Sequence, residues 1–169
     1  MRPKTLSSQS AKLLAYFFNK EQSFFTLSEA QTALSESKPG AVRELTSDMV
    51  KRGLLLRLKN GLYHIIPYEK QPDFYLPNWH LVASQLVKNR HYYIGYYSAL
   101  EIHGLITQPS LIEQIVVDKQ IEPSLKNLSK VKFQFISHKE KHFFCAKNQW
   151  IDNFNQVKCS DLEKTIIDR

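Results

Sequence analysis

Residues 37–66 read SKPGAVRELTSDMVKRGLLLRLKNGLYHII, and the change of period inside this stretch decides the fold. Pro39 suits the first position of a helix, where its missing N–H has no partner to lose. From there Val42, Leu45 and Met49 recur on one side, while Gly40, Arg43, Glu44, Ser47 and Lys51 project on the other. Gly53 follows Lys51 and Arg52, which places a left-handed stop after cations at the negative end of the helix dipole. The helix therefore ends near Arg52. Beyond it, Asn60-Gly61 is the dipeptide best suited to a two-residue type I′ turn, so residues 54–59 and 62–66 read as a hairpin. That turn sets Lys59 opposite Leu62, Leu58 opposite Tyr63, Arg57 opposite His64 and Leu56 opposite Ile65. Leu54, Leu56, Leu58, Tyr63 and Ile65 then face the helices. Arg57, Lys59 and His64 face outward, together with Leu55, Leu62 and Ile66.

Working back toward the start, Ser7 or Ser8 can cap a helix running to about Asn19, with Leu13, Leu14, Phe17 and Phe18 on one face and Ala11 and Ala15 extending it. Phe24 and Phe25 form a short strand-like piece. Thr26-Leu27-Ser28-Glu29 has the form of a capping box, so a second helix begins at Leu27, takes in Ala30, Ala33 and Leu34, and stops before Ser35. Helix, helix, short turn, helix and hairpin is the order of a winged helix-turn-helix. The predicted fold class is α+β, with this module over residues 1–68.

Prolines at 67, 72 and 77 mark a linker over 69–78, because each removes a backbone donor and disfavours helix. A mixed α/β domain follows over 79–169. Its predicted elements are a helix over Trp79–Asn89, a strand at Tyr92–Ile94, a helix over Ser98–His103, strands at Leu111–Val117, Val131–Ile136 and Phe143–Ala146, and a helix over Asp161–Asp168. That last helix has no stop signal, which predicts a fragment, or a naturally short version, of a longer fold.

No apolar run approaches the roughly 18 residues of a membrane span, and residues 1–4 lead into no apolar signal segment; the expected location is the cytoplasm. Cys145 and Cys159 are too few for a disulfide scaffold and read as reduced thiols. The net charge of +7 favours an anionic partner, and its distribution says where. Residues 1–70 hold 11 Lys and Arg against 6 Asp and Glu, a net of +5, whereas residues 71–169 hold 12 against 10, a net of +2.

A positive third helix beside a positive hairpin matches duplex DNA, since a helix fits the major groove and a wing follows the adjacent backbone. The candidate interface has Arg43, Glu44, Ser47 and Lys51 toward the groove, with Lys38, Arg52, Arg57, Lys59 and Asn60 at the phosphates. The competing reading is a winged-helix protein-interaction module without specific DNA binding.

His138, His142, Cys145 and Cys159 are zinc-type residues, but they lack paired ligand hooks, and Cys145 beside Phe143 and Phe144 reads as a buried thiol in a strand. No metal or cofactor is expected. Ser98 and Glu101 would share a helix face that His103 misses, while Asp118, Glu122 and Lys132 offer a nuclease-like set without further support. With no nucleophile elbow and no phosphate-binding glycine loop, the chain does not read as an enzyme. The tyrosines at 92, 93, 96 and 97 read as core cover with hydroxyls at the rim.

Three segments resemble the AbiEi-type antitoxins of bacterial abortive-infection (type IV toxin–antitoxin) systems. Leu45 to Leu54, LTSDMVKRGL, is similar to the recognition helix and wing entry of that family, and Asn60 to Tyr63, NGLY, to its wing turn. Tyr96 to Leu105, YYSALEIHGL, resembles the start of its second domain and is the most diagnostic of the three. The resemblance implies a winged helix that binds operator DNA, an inverted repeat, and represses its own phage-defence operon. It also implies a C-terminal domain that helps to neutralise a cognate nucleotidyltransferase-type toxin.

Overall fold

The computed structural model describes residues 4–168, and the chain divides between Tyr75 and Leu76 into two compact units. Among the described residues the architecture is mixed α+β, with six α-helices and two sheets. No described helix is long and apolar enough to cross a membrane.

The first unit opens with α1 (Ser8–Phe18), capped by the Ser7 side chain, which accepts from the Ser10 N–H. The short β1 (Phe24–Thr26) leads into α2 (Leu27–Ala33), where Thr26 and Glu29 form the reciprocal capping box that the sequence predicts. α3 (Pro39–Lys51) follows, then the hairpin strands β2 (Leu55–Lys59) and β3 (Leu62–Ile65). β3 is the central strand of a three-stranded sheet, with β1 and β2 antiparallel on its two sides. Phe17, Phe25, Val42, Met49, Leu54 and Tyr63 belong to the buried cluster that joins helices to sheet, with Phe17 and Phe25 stacked at 4.2 Å. On α1 the apolar face is narrower than the sequence reading: Leu13 and Phe17 are buried, Leu14 is half-buried, and Ala11, Ala15 and Phe18 are exposed. At i, i+4 spacing only one of each adjacent apolar pair can point straight into the core.

The hairpin keeps its turn and changes its register. Lys59 pairs with Leu62, but beyond a bulge Arg57 pairs with Tyr63, Leu56 with His64 and Leu55 with Ile65, each one residue from the alternating scheme. Leu58 is the residue the bulge inserts, and it turns inward. The inner and outer sets are redistributed accordingly. Leu55, Leu62, His64 and Ile66, assigned outward from the sequence, are buried, and Leu56 and Ile65, assigned inward, are only half-buried. Arg57 and Lys59 remain exposed.

Residues 69–75, the first part of the predicted linker, fold back on this unit. Tyr75 stacks on His64, and Pro72 packs against Gly53, whose φ of +71° makes the turn out of α3.

The second unit contains α4 (Trp79–Leu86), β4 (Tyr92–Ile94), α5 (Tyr96–Ile102), β5 (Ile112–Val117), β6 (Leu125–Leu128), β7 (Val131–Ser137), β8 (Ala146–Trp150), β9 (Gln156–Ser160) and α6 (Leu162–Ile167). Its six strands run β6-β7-β5-β4-β9-β8, with β5–β7 and β4–β9 parallel and the other pairs antiparallel. The helix predicted over 98–103 begins two residues earlier, after Gly95. The strand predicted over Phe143–Ala146 is displaced to β8. A short 3-10 turn at Glu140–His142 precedes it, Cys145 sits at φ +53°, and its thiol is exposed rather than buried. β6 and β9 complete the sheet without having been foreseen.

Candidate nucleic-acid interface

On α3 the buried residues are Val42, Thr46 and Met49, a stripe at i, i+4, i+7. Thr46 fits there because its hydroxyl donates to the Arg43 carbonyl at 3.0 Å and lies 3.5 Å from the Tyr63 hydroxyl. At about 100° per residue, Gly40, Glu44, Ser47 and Lys51 fall on the opposite side and Arg43 on its flank. All five are exposed. Lys38, at the N-cap of the helix, is exposed as well.

The hairpin tip is held in two ways. The Gly61 carbonyl accepts from the Leu27 N–H at 2.9 Å, which ties the turn to the start of α2. Across the turn, Arg57 Nη2 donates to Asn60 Oδ1 at 2.8 Å. Arg57, Lys59 and Asn60 are all exposed, so the tip presents two cations and an amide in a short span. Positive φ at Gly61, +74°, lets the chain reverse there without a Cβ clash.

Arg52 is placed differently from the other eight candidates. Its guanidinium pairs with Asp48 at 2.6 Å, donates to the Thr5 carbonyl at 2.7 Å and reaches the Ser10 hydroxyl at 3.3 Å. With its side chain only 14% exposed, it fastens the end of α3 to the start of α1. The same contact occupies Asp48, leaving Glu44 as the carboxylate among the five residues of the exposed face.

Behind the hairpin, His64 is covered by Phe24 at 4.4 Å between rings and by Tyr75, whose hydroxyl lies 2.9 Å from Nε2. Burial pushes its pKa from 6.5 down to about 4, so the ring is neutral at neutral pH and contributes no charge to the exposed face.

No protein-family model matches the chain, and no curated protein matches it. Among solved structures, it is similar to the crystal structure of the RV2827C protein from Mycobacterium tuberculosis, with a TM-score of 0.58 at 15% identity. The match covers 80% of this chain and 47% of that one, so this chain spans about half the neighbour's length. Likeness at this identity bears on the fold alone.

The other residue sets considered from the sequence are dispersed in the second unit. Ser98 Oγ accepts from the Gln114 N–H at 2.8 Å, Glu101 accepts from the Ser110 N–H at 3.4 Å, and His103 Nε2 meets the Ser160 carbonyl at 2.7 Å. Lys132 lies opposite Ile112, at the far end of the β5–β7 pair from Asp118. Cys159 is buried 3.9 Å from His103, and burial raises its thiol pKa to about 12. Among the described residues no group of three or more His, Cys, Asp or Glu is placed to hold a metal ion.

Two buried charged groups escaped the sequence reading. Glu113 on β5, 1% exposed, bonds to His80 of α4 at 2.8 Å. Lys164, 2% exposed, pairs with Asp168 at 2.8 Å and lies 4.2 Å from the Phe144 ring centroid. An Ile112-Glu113-Gln114-Ile115 alternation that puts the carboxylate on the same side as Ile115 and Val117 is the signal that could have exposed the first.

Proposed function

We propose that the first unit is a winged helix-turn-helix that binds duplex DNA, and that the chain is a transcriptional repressor of AbiEi-antitoxin type, acting on its own toxin–antitoxin operon and against a nucleotidyltransferase-class toxin. The observation that carries the DNA-binding part is the α3 surface: Arg43, Glu44, Ser47 and Lys51 are exposed opposite the buried Val42–Thr46–Met49 stripe, in the same unit as the basic tip Arg57–Lys59–Asn60. A helix free on one side suits the major groove, and a rigid basic hairpin suits the neighbouring backbone. Lys38, Arg57 and Lys59 supply phosphate contacts beside the groove, and Lys51, on the groove side at the end of α3, meets the phosphates at its rim. Arg52 acts through α3, which it anchors. Glu44 accepts from a cytosine amino group. The antitoxin part rests on the resemblance of Tyr96 to Leu105 to the family's second domain.

The test is binding to the inverted repeat upstream of the chain's own gene, followed by fluorescence anisotropy over a range of salt. The reading requires affinity that falls linearly with salt on logarithmic axes and exceeds that for scrambled duplex. Equal, weak binding to both would remove the repressor assignment.

One observation favours the second reading, a protein-interaction module. Phe18, Tyr68 and Phe74 in the first unit are 82%, 62% and 79% exposed. Co-purification with a neighbouring gene product that survives charge reversal at Arg57 and Lys59 would select it.

A further inference from the structure

The second unit has a cleft of about 300 Å³ whose walls include Trp79, His80, Glu101 and Trp150. These residues come from three elements: the first turn of α4, the last turn of α5 and the end of β8. Trp79 and Trp150 are the only tryptophans in the chain, and Trp150 leaves 62% of its surface exposed.

His80 is the hinge of the chemistry. Its Nδ1 meets Glu113 Oε1 at 2.8 Å, and the carboxylate behind it is sealed in the core. In the tautomer that donates Nδ1–H to that carboxylate, Nε2 carries a lone pair. Nε2 has no protein partner among the described residues, and it is not one of the sealed, unpaired atoms of the core. Since His80 lines the cleft, Nε2 opens into it. Glu101 brings a second carboxylate, whose Oε2 takes a single long bond from the Ser110 N–H and which has no ion pair with any described Lys or Arg.

The cleft wall carries two acceptors, the Glu101 carboxylate and His80 Nε2, with Glu113 behind, and one sealed donor without a partner, the Trp79 Nε1–H. Burial raises the pKa of Glu113, and nearby Glu101 raises it further, while His80 and the Ser98 hydroxyl work against them. The site is short of positive charge in a protein of net charge +7. Two indoles beside it add the ring faces to which cations are drawn.

We propose that this cleft is a binding site for an organic cation of the guanidinium or alkylammonium class, held by the Glu101 carboxylate, by His80 Nε2 and by the indoles of Trp79 and Trp150. The cation donates hydrogen bonds to both acceptors and neutralises the Glu101 carboxylate. This assignment is independent of the role given to the first unit. The cation can come from a free polyamine-like molecule or from an arginine of a partner protein, and the two sources present the same head group.

Because both tryptophans line the cleft, intrinsic fluorescence and the two indole N–H resonances of the full chain report occupancy directly. The probes are agmatine, the capped peptide acetyl-Gly-Arg-Gly-amide, and methylurea as a neutral isostere, each at millimolar concentration. The expected result is a saturable change with both cations and none with methylurea. Glu101→Gln, which keeps an acceptor for the Ser110 N–H, should weaken cation binding about tenfold. Trp150→Leu, at an exposed position, should weaken it with Trp79 still reporting. Tighter binding of the peptide assigns the site to a partner's arginine, and tighter binding of agmatine assigns it to a free cation. An equal response to methylurea, no saturable response, or unchanged affinity in Glu101→Gln would overturn the proposal.

Discussion

Acidification should loosen the hairpin through His64. Its ring is buried between Phe24 and Tyr75, and its pKa lies near 4 in the folded chain against 6.5 for the free side chain. As pH falls through 6.5 the unfolded chain takes up a proton that the folded ring refuses, so the stability held by neutral His64 begins to drain away. The loss continues until about pH 4, where the folded ring protonates too. A difference of 2.5 units corresponds to about 3 kcal/mol, of which roughly 2 kcal/mol is lost by pH 5. Against a typical domain stability of about 5–15 kcal/mol that is a large share. The assay has two parts. The ring proton shift of His64 should titrate near 4. Amide exchange at Leu55 and Ile65, which pair across β2 and β3, should report an opening free energy that drops between pH 7 and pH 5. In His64→Phe the ring cannot protonate, so this part of the pH dependence should disappear even though the bond to Tyr75 is lost. If His64 titrates near 6.5, or if the variant shows the same pH dependence as the parent chain, the burial argument fails.

Other perturbations separate structural from interfacial roles. Gly53→Ala should destabilise the first unit by more than the roughly 1 kcal/mol of a left-handed alanine, since its Cβ would lie 2.2 Å from Pro72 Cγ; denaturant unfolding measures it. Lys51→Ala should reduce the salt slope of DNA binding by about 0.9 and leave the unfolding midpoint unchanged. Arg52→Ala should do the reverse in stability, losing the clasp to Asp48, Thr5 and Ser10 and lowering the unfolding midpoint, as thermal melts would show. An alkylating reagent should label exposed Cys145 in the native chain and reach Cys159 only on unfolding, because Cys159 is buried and its thiol is held protonated up to about pH 12; mass spectrometry of labelled peptides gives the order.

What the sequence made legible was local chemistry. The capping box at Thr26–Glu29, Pro39 at the first position of α3 and Gly53 after its end are each decided by a few adjacent backbone groups, and each stands where the residues place it. The exposed face of α3 follows from its period in the same way. The hairpin register failed because a bulge at Leu58 leaves no mark in composition: an unbroken alternation puts Leu54, Leu56 and Leu58 inside, whereas the bulged strand buries Leu54, Leu55 and Leu58 and leaves Leu56 half-buried. By pairing with the far side of β3, β1 makes it a central strand and covers its outer side chains, including His64. β6 and β9 were missed for a related reason. Gln156–Ser160 alternates Val157 and Cys159 inward over too few residues to stand out, and Leu125–Leu128 has no buried residue of its own. Both are strands because neighbours supply their hydrogen bonds, β7 for one and β4 with β8 for the other. The His80–Glu113 pair shows the same dependence at the level of a site. The residues stand 33 positions apart, and only the packing of α4 on β5 turns an isolated histidine and an isolated glutamate into one hydrogen-bonded pair at the wall of a cleft. A surface such as the α3 face can be read from one helix, whereas a site built across three elements exists only once the sheet does.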